Sequence, residues 1–202
     1  MKSLLKKLKT VFLSLIKGTI FVLINIISFL FSRKIDETVF GEYVVRGCKR
    51  SELYLVANFL IEMRSNAISS PYRKIIYLLF SEKTIFIAIK NSGNKEIEIL
   101  GVNLYYVNLQ DFKNSTVHGG YIGVSQKKQG LGIATNLRCS AKKHFYNSGF
   151  VGISSRISVS NIASLRTAQK MGYIVESKYY DYSTNEERYY MICKLGSTND
   201  VK

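Results

Sequence analysis

"KKQGLGIAT", residues 127–135, is the stretch that decides the fold of this chain. It places two glycines, Gly130 and Gly132, between a basic, polar approach and an apolar run that is typical of a helix. A flexible turn that opens into a helix can bind a phosphate through its backbone N–H groups, but a tight turn without a ligand has the same pattern. The stretch is neither a Rossmann fingerprint nor a P-loop, because the third glycine of G-x-G-x-x-G and the G-K-[ST] triplet are absent.

The sequence around this loop predicts a mixed α/β domain with a central sheet. Ser51 and Pro71 are typical of helix starts, and Gly149 is typical of a helix end. In chain order, the expected elements are a strand at 42–48, helices at 51–65 and 70–82, strands at 84–90 and 96–108 joined by the turn N-S-G-N, a strand at 115–125, a helix at 131–149, a strand at 150–160, a helix at 161–172, and strands at 173–183 and 187–195.

Charge and cysteine content limit the function classes. The chain has 202 residues and a net charge of +15, of which +7 lies in residues 1–34 and +8 in the remainder. A basic surface suits nucleic acid, an anionic membrane or an anionic cofactor, but no nucleic-acid-binding motif is present, so nucleic acid is not an expected partner. The three cysteines, Cys48, Cys139 and Cys193, are scattered, which indicates neither a disulfide framework nor a metal site.

Residues 1–34 combine an amphipathic, lysine-rich first half with an almost wholly apolar stretch from Thr19 to Phe31. A cleaved signal peptide is disfavoured, because no small-residue cleavage site follows the apolar region. A spanning helix would be barely long enough, and basic residues on both flanks leave its orientation undefined. We favour an interfacial or half-inserted helix that binds membrane lipid, with a helix packed on the domain or in a homodimer as the alternative. The predicted division is an anchor at 1–35 and a globular domain at 36–202.

Two motifs of the domain occur together. The loop reads Q-x-x-G-x-A from Gln129 to Ala134, and about 30 residues later the stretch 161–173 reads N-x-x-S and ends in K-x-G-aromatic. With this separation and order of elements, the chain resembles the GNAT superfamily of acyl-CoA-dependent acetyltransferases over residues 42–195. The resemblance implies a mixed, mostly antiparallel central sheet with a splayed strand pair and flanking helices, to which this chain adds a membrane-associated N-terminal helix.

The resemblance also implies that acetyl-CoA is the co-substrate, and it assigns the residues that bind it. The strand before the loop would pair with the pantetheine arm, and the loop amides would bind the pyrophosphate. Asn161 would hydrogen-bond the pantetheine, and Ser164 lies on the same helix. The cofactor-binding residues so implied are Ile122, Gly123, Val124, Gln129, Gly130, Leu131, Gly132, Ile133, Ala134, Asn161 and Ser164.

Acetyl transfer to an amine needs a base for the amine and an acid for the departing thiolate. Family members often carry a glutamate on the strand before the loop, and counting back from Val124 places His118 there; histidine titrates near neutral pH, which suits a base. The tyrosine that many members use as the acid is replaced by Ala168, so Tyr179 and Tyr180 of the following strand are candidates. His144 is expected at the surface.

The family builds its acceptor site from segments that correspond to residues 64–75 and 178–190. The second segment is rich in tyrosines and carboxylates, which suit a sugar ring that bears an amine. Together with the membrane helix, this favours the amine of an amino sugar or surface-glycan precursor, either a small molecule or lipid-linked, at the cytosolic membrane face. A protein or peptide amine, a hydroxyl acceptor, and a non-catalytic acyl-CoA-binding membrane protein are the alternatives.

Overall fold

The computed structural model describes residues 2–90 and 97–196, and the predicted N-S-G-N turn at 91–94 lies outside them. The helices in the described part are α1 (Lys2–Phe29), α2 (Leu53–Glu62), α3 (Pro71–Thr84), α4 (Leu109–Lys113), α5 (Ile133–Asn147) and α6 (Ile162–Lys170). The strands are β1 (Thr38–Phe40), β2 (Tyr43–Gly47), β3 (Ile85–Lys90), β4 (Ile99–Tyr106), β5 (Thr116–Val124), β6 (Gly152–Ser158), β7 (Ile174–Asp181) and β8 (Glu186–Lys194).

All of these strands form one sheet in the order β1-β2-β3-β4-β5-β6-β8-β7. Neighbouring strands are antiparallel except for β5 and β6, which run parallel and are connected through α5. The parallel register begins with Thr116 opposite Gly152 and ends with Gly119 opposite Ser155. This mixed, mostly antiparallel sheet with flanking helices confirms the predicted fold class.

Each face of the sheet buries its own apolar core, because side chains alternate along a strand. In β3, Phe86 and Ala88 belong to the core that α5 covers, whereas Ile85 and Ile87 belong to the core under α2 and α3. The ring of Phe86 meets that of Phe145 on α5 with a centroid separation of 5.8 Å. Helices therefore cover both faces of the sheet that carries the candidate site.

Two elements are absent from the sequence-based prediction, and one helix starts later than predicted. Strand β1 has three residues, and α4 has five residues and is capped by Asn108, whose side chain accepts from the amides of Gln110 and Asp111. Elements this short leave no periodic pattern in a sequence. Helix α5 begins at Ile133 because Gly132 has φ +75°, outside the helical region.

Helix α1 is continuous over 28 residues, and its C-terminal half is docked on the domain. Ile24 and Phe29 are buried in the same core as α5. Asn25 is fully buried; its amide donates to the carbonyl oxygen of Val107 at 2.7 Å, and its own oxygen accepts from the Val107 N–H at 2.8 Å. Lys83 Nζ donates to the Phe29 carbonyl at 2.9 Å and so caps the helix end. The last turns of α1 are therefore part of the globular core.

The rest of α1 makes one close contact with α3 and has one side that is exposed to solvent. Gly18 lies where α1 meets α3, and a Cβ at this position would overlap the ring of Tyr72. The absence of a side chain at Gly18 thus allows the two helices to approach each other closely. On the exposed side, Phe12, Leu23 and Ile27 are each more than half exposed. Among the described residues, the segment Lys7–Phe29 is long and apolar enough to cross a membrane.

Candidate functional site

The site begins where the two parallel strands separate. Strands β5 and β6 stop pairing after Gly119 and Ser155, although both continue. Beyond that point β5 stays paired with β4 as far as Val124, and β6 stays paired with β8 as far as Ser158. Because each strand follows a different neighbour, a gap opens between them and forms a cavity of about 250 Å³, called the gap below.

The loop after β5 presents open backbone amides. Gly130 (φ +81°) and Gly132 (φ +75°) have left-handed backbone conformations, and a Cβ at either position would meet no atom within 4 Å. Gly132 is the N-cap of α5, and the first helical hydrogen bond runs from the Asn136 N–H to the Gly132 carbonyl at 3.0 Å. The amides before Asn136 therefore have no intrahelical acceptor, and the open space in front of them suits an anion.

A cavity of about 550 Å³, called the loop cavity below, is bounded by this loop, β5 and α6. It brings together three segments that are separate in the sequence. Leu131 is the one predicted cofactor-binding residue that does not line it, and its side chain is 63% exposed. The predicted residues that line it are Ile122, Gly123, Val124, Gln129, Gly130, Gly132, Ile133, Ala134, Asn161 and Ser164.

Two side chains of the loop cavity refine the predicted site. Arg138 on α5, which the sequence analysis does not single out, is 5% exposed, lines both cavities and leaves its Nε without a hydrogen-bond partner. A buried guanidinium with an open donor suits an anionic or carbonyl ligand. Asn161 caps α6 by accepting from the Ser164 N–H at 3.0 Å, which leaves its Nδ2 hydrogens for a ligand.

His118 lies in a buried polar cluster next to the gap. It is 3% exposed and lines neither cavity, although the following residue, Gly119, lines the gap. Its Nδ1 is 2.7 Å from Ser154 Oγ, and the Ser154 hydroxyl donates to Asp111 Oδ1 at 2.6 Å. Ser154 Oγ therefore accepts from the Nδ1–H, and the ring lone pair is on Nε2. Ser154 and Asp111 have no signal in the sequence, because α4 and the register of β5 with β6 bring them to His118.

Burial controls the protonation of this cluster. Desolvation, reinforced by the cations Arg156 and Arg73, lowers the pKa of His118 to about 3. Burial also raises the pKa of Asp111, although hydrogen bonds from Ser154 and Thr116 oppose that change. His118 is therefore a neutral imidazole at physiological pH. The near-neutral titration expected from the sequence is not found, because that expectation applies to a solvated histidine.

His144 is buried, so the predicted surface position is wrong. It is 7% exposed, and its ring packs against Phe86 and Phe145. Its Nε2 is 3.1 Å from the carbonyl oxygen of Lys83, and burial lowers its pKa to about 4. His144 connects α5 to the end of α3 and lines neither the gap nor the loop cavity.

The two predicted tyrosines lie on opposite faces of β7, because they are adjacent in a strand. The Tyr179 hydroxyl is buried without a hydrogen-bond partner, and burial raises its pKa. Tyr180 is 44% exposed, and its hydroxyl donates to Asn185 Oδ1 at 2.7 Å. Tyr190 also has a buried, unpartnered hydroxyl, and it stands opposite Arg156, which lines the gap. The hydroxyl protons of Tyr179 and Tyr190 thus have no acceptor in the protein, whereas that of Tyr180 is engaged, and none of the three tyrosines lines the gap or the loop cavity.

The carboxylates of segment 178–190 are used within the β7–β8 hairpin. Glu187 pairs with Lys178 at 2.8 Å, and Arg188 pairs with Glu186 and Asp181. None of the three acids lines the gap or the loop cavity. They therefore do not form the amine-binding cluster that the composition of the segment suggests. In the part of the chain that is described, no three His, Cys, Asp or Glu side chains come together as a metal site.

Comparisons with known proteins bear on the fold. No protein-family model matches the sequence, and no curated protein matches it. A chain of the NatC complex, solved bound to Gag peptide and CoA, is similar in structure with a TM-score of 0.65 and 22% identity, over 77% of this chain and 99% of that one.

Two bacterial structures give the same result. The ribosomal-protein-S5-alanine acetyltransferase from Vibrio fischeri has a TM-score of 0.64 and 18% identity, over 83% of this chain and 99% of that one. A GNAT-family acetyltransferase from Streptococcus pneumoniae has a TM-score of 0.60 and 14% identity, over 77% of this chain and 100% of that one. The chain therefore has the GNAT acetyltransferase fold, and the resemblance drawn from its two motifs is confirmed at that level.

We expect His118 and His144 to stay neutral in the folded protein down to about pH 5. Their folded pKa values, about 3 and about 4, lie below the value of 6.5 for a solvated histidine. Protonation therefore favours unfolding. The free energy of unfolding is therefore highest above pH 6.5. It falls as the pH is lowered towards the folded pKa values, by roughly 2 kcal/mol per histidine at pH 5.

The measurement is an NMR titration of the imidazole C–H signals, assigned with His118→Gln and His144→Gln. A midpoint near 6.5 for His118 would contradict the buried cluster.

Proposed function

We propose that this chain transfers an acetyl group from acetyl-CoA to an acceptor amine. One observation carries the proposal: the loop cavity, which contains the open amides of the glycine loop, adjoins the gap between β5 and β6. Ile122 on β5 lines both. A ligand with a pyrophosphate at one end and a thioester at the other fits this arrangement. The similarity to a structure solved with CoA supports the same assignment.

Acetyl-CoA would supply the thioester, and the residues present fit it. Beyond Gly119, β5 is paired on one edge only, so backbone groups on its other edge are available to the pantetheine arm. The amides from Gly130 onward would bind the pyrophosphate. Lys128 and Arg138, which both line the loop cavity, add positive charge. The Asn161 Nδ2 donors would reach the pantetheine carbonyls from the opposite wall.

In the proposed reaction the amine nitrogen attacks the thioester carbonyl carbon, the nitrogen loses a proton, and the C–S bond breaks. His118 Nε2 would accept the proton through water, because the ring does not line the gap. Its depressed pKa keeps Nε2 unprotonated but makes it a weak base. Tyr179 or Tyr190 would protonate the thiolate, also through water because neither lines the gap; burial raises both pKa values, which keeps both hydroxyls protonated.

We further propose that α1 lies in the membrane interface. A helix that spans a bilayer needs about 20 residues in lipid. The half of α1 from Gly18 to Phe29 is docked on the domain, so too few residues are left for a span. The exposed apolar side chains on the opposite side of the helix suit an interfacial position, with the catalytic domain on the cytosolic side.

The acceptor we propose is the amine of an amino sugar or surface-glycan precursor presented at that membrane face. It is supported by the packing of α1 against Tyr72, which lies in segment 64–75, one of the two segments from which the family builds its acceptor site. A protein or peptide amine is the second candidate, because two similar structures carry names of that kind, one bound to a peptide and one a ribosomal-protein-alanine acetyltransferase. A non-catalytic acyl-CoA-binding protein is the third, because Ala168 replaces the usual acid.

Gly130→Asp should weaken acetyl-CoA binding on the order of 100-fold or more, because its carboxylate would oppose the pyrophosphate. Calorimetric titration of the full-length protein in neutral detergent measures this. Gly41→Asp is the matched control, since Gly41 also has a positive φ (+58°) and open space but lies in the β1–β2 turn. Equal affinities in the two variants would contradict the loop assignment.

His118→Ala should lower kcat about 100-fold or more and leave the affinity for acetyl-CoA unchanged. His144→Ala is the control, because it removes an equally buried histidine outside the site. Thiol release from acetyl-CoA is followed with a phosphorylated amino sugar and with a peptide that begins with alanine, which separates the two acceptor classes. Turnover that is the same in both variants would remove His118 from the mechanism. Cofactor binding without turnover on either acceptor would favour the non-catalytic alternative.

Replacing Phe12, Leu23 and Ile27 by glutamate should release the protein from lipid vesicles in a flotation assay. Each replacement puts a charge where an apolar side chain would enter the interface. Deleting residues 1–34 is a poorer test, since it also removes Ile24 and Phe29 from the core. The control places glutamate at Tyr54 and Ile61, which are exposed apolar positions on α2. If both sets of variants float alike, the lipid-binding surface is not on α1.

A further inference from the structure

A third cavity, of about 350 Å³, lies between α1 and the domain and is called the basic cavity below. Its walls come from α1, the beginning of α3, the end of β4 and β6. Three cations line it: Lys17, Arg73 and Arg156. No aspartate or glutamate lines it. This is a concentration of positive charge that the reaction described above does not use.

The three cations are poorly compensated by the protein itself. Among the described residues, the side chains of Lys17 and Arg156, both of them exposed, make no hydrogen bond or ion pair with the protein. Arg73 donates to the Ala67 carbonyl at 3.2 Å, and its guanidinium lies 4.8 Å from the centre of the Tyr106 ring. Asp111, a carboxylate on which the charge of Arg156 acts, is fully buried, is held by Ser154 and Thr116, and does not line the cavity. An anionic ligand would satisfy these donors.

Neutral donors in the same cavity strengthen this reading. Ser70 is the N-cap residue of the 14-residue helix α3, and its side chain makes no capping hydrogen bond, so its hydroxyl is available. Asn108 uses its Oδ1 to cap α4, which leaves its Nδ2 hydrogens available. Donors on several elements that converge on one space suit a group with several acceptor oxygens, such as a phosphate.

The basic cavity is connected to the proposed reaction centre. Tyr106 lines it, and the Tyr106 and His118 ring centres are 5.0 Å apart. Arg156 lines both the basic cavity and the gap. An anion held by Arg156 and Arg73 would therefore place the adjoining part of the same molecule at the entrance to the gap.

We propose that the basic cavity binds a phosphate or diphosphate group carried by the acceptor. This inference rests on the proposed acetyl transfer, whose acceptor it assigns to the class of phosphorylated amines. Three cations match the charge of a phosphate or diphosphate better than that of a single carboxylate. Lys17 is supplied by α1, between the exposed apolar residues Ile16 and Ile20, so the cavity would open at the level of lipid headgroups.

The first test is calorimetric titration of inorganic pyrophosphate into the full-length protein in neutral detergent. It uses the Gly130→Asp background, so that the glycine loop does not compete for the probe. We expect pyrophosphate to bind at one site, and we expect Arg156→Gln, Arg73→Gln or Lys17→Gln to lower its affinity about tenfold or more. Arg50→Gln and Lys9→Gln are the controls, since these cations are exposed and line none of the three cavities.

The second test separates a lipid-borne phosphate from a soluble one. Binding of the full-length protein is compared on two kinds of phosphatidylcholine vesicle at matched surface charge. One contains phosphatidate, which exposes a phosphate monoester, and the other contains phosphatidylglycerol. Preference for phosphatidate that is lost in Arg156→Gln identifies a lipid-borne phosphate. Pyrophosphate binding that depends on Arg156, without any vesicle preference, supports a soluble phosphate group over a lipid-borne one.

Two outcomes overturn the proposal: no pyrophosphate binding together with no preference for phosphatidate, or unchanged binding in all three variants of the basic cavity. Titration of Lys17→Gln and Arg73→Gln with acetyl-CoA, in the otherwise unmodified protein, separates this result from a failure of the proposed function, because these two cations line the basic cavity but neither the gap nor the loop cavity. Loss of pyrophosphate binding with acetyl-CoA affinity retained places the defect in the basic cavity. If the wild-type protein does not bind acetyl-CoA but the basic cavity binds pyrophosphate, the proposed function fails while the anion site stands.

Discussion

The separation of β5 from β6 is the constraint on which the rest of the site depends. They are the one parallel pair among the described strands, so the chain between them has to cross over, and α5 makes that crossing. The crossover places the first turn of α5 after the glycine loop that follows the end of β5. The open amides of the glycine loop and the unpaired edge of β5 are therefore consequences of the same topology. A fully paired β5 and β6 would close the gap and leave the loop beside a continuous sheet.

Helix α1 is a structural part of the domain and supplies one wall of the basic cavity. Asn25 satisfies both backbone groups of Val107, and each would otherwise be buried without a partner. Gly18 then lets Tyr72 approach the helix closely, and Lys17 is brought to the wall of the basic cavity. Because α1 is fixed to the domain at these positions, a membrane that binds the exposed side of α1 would also set the orientation of the basic cavity.

The charges of the β7–β8 hairpin and of the basic cavity favour an anion over a free cation. In the β7–β8 hairpin the carboxylates are occupied by Lys178 and Arg188, so they offer little to an incoming ammonium group. In the basic cavity, Arg156 has no carboxylate partner among the described residues. Burial, together with the charges of Arg156 and Arg73, holds His118 neutral. An acceptor phosphate would lessen their effect on the ring, which would raise its basicity when the acceptor is bound.

The sequence by itself determined the fold class, the order of the main elements and the glycine loop. These depend on local signals: apolar periodicity, caps, and the glycines that the left-handed positions at 130 and 132 require. Only the tertiary structure decided which polar groups meet. Asp111, Ser154 and His118 come from three elements, and Lys17, Arg73 and Arg156 also come from three, with β6 common to both sets, so no spacing along the chain relates them. Burial likewise decided the protonation of His118 and the position of His144, because desolvation depends on neighbours that are distant in the sequence.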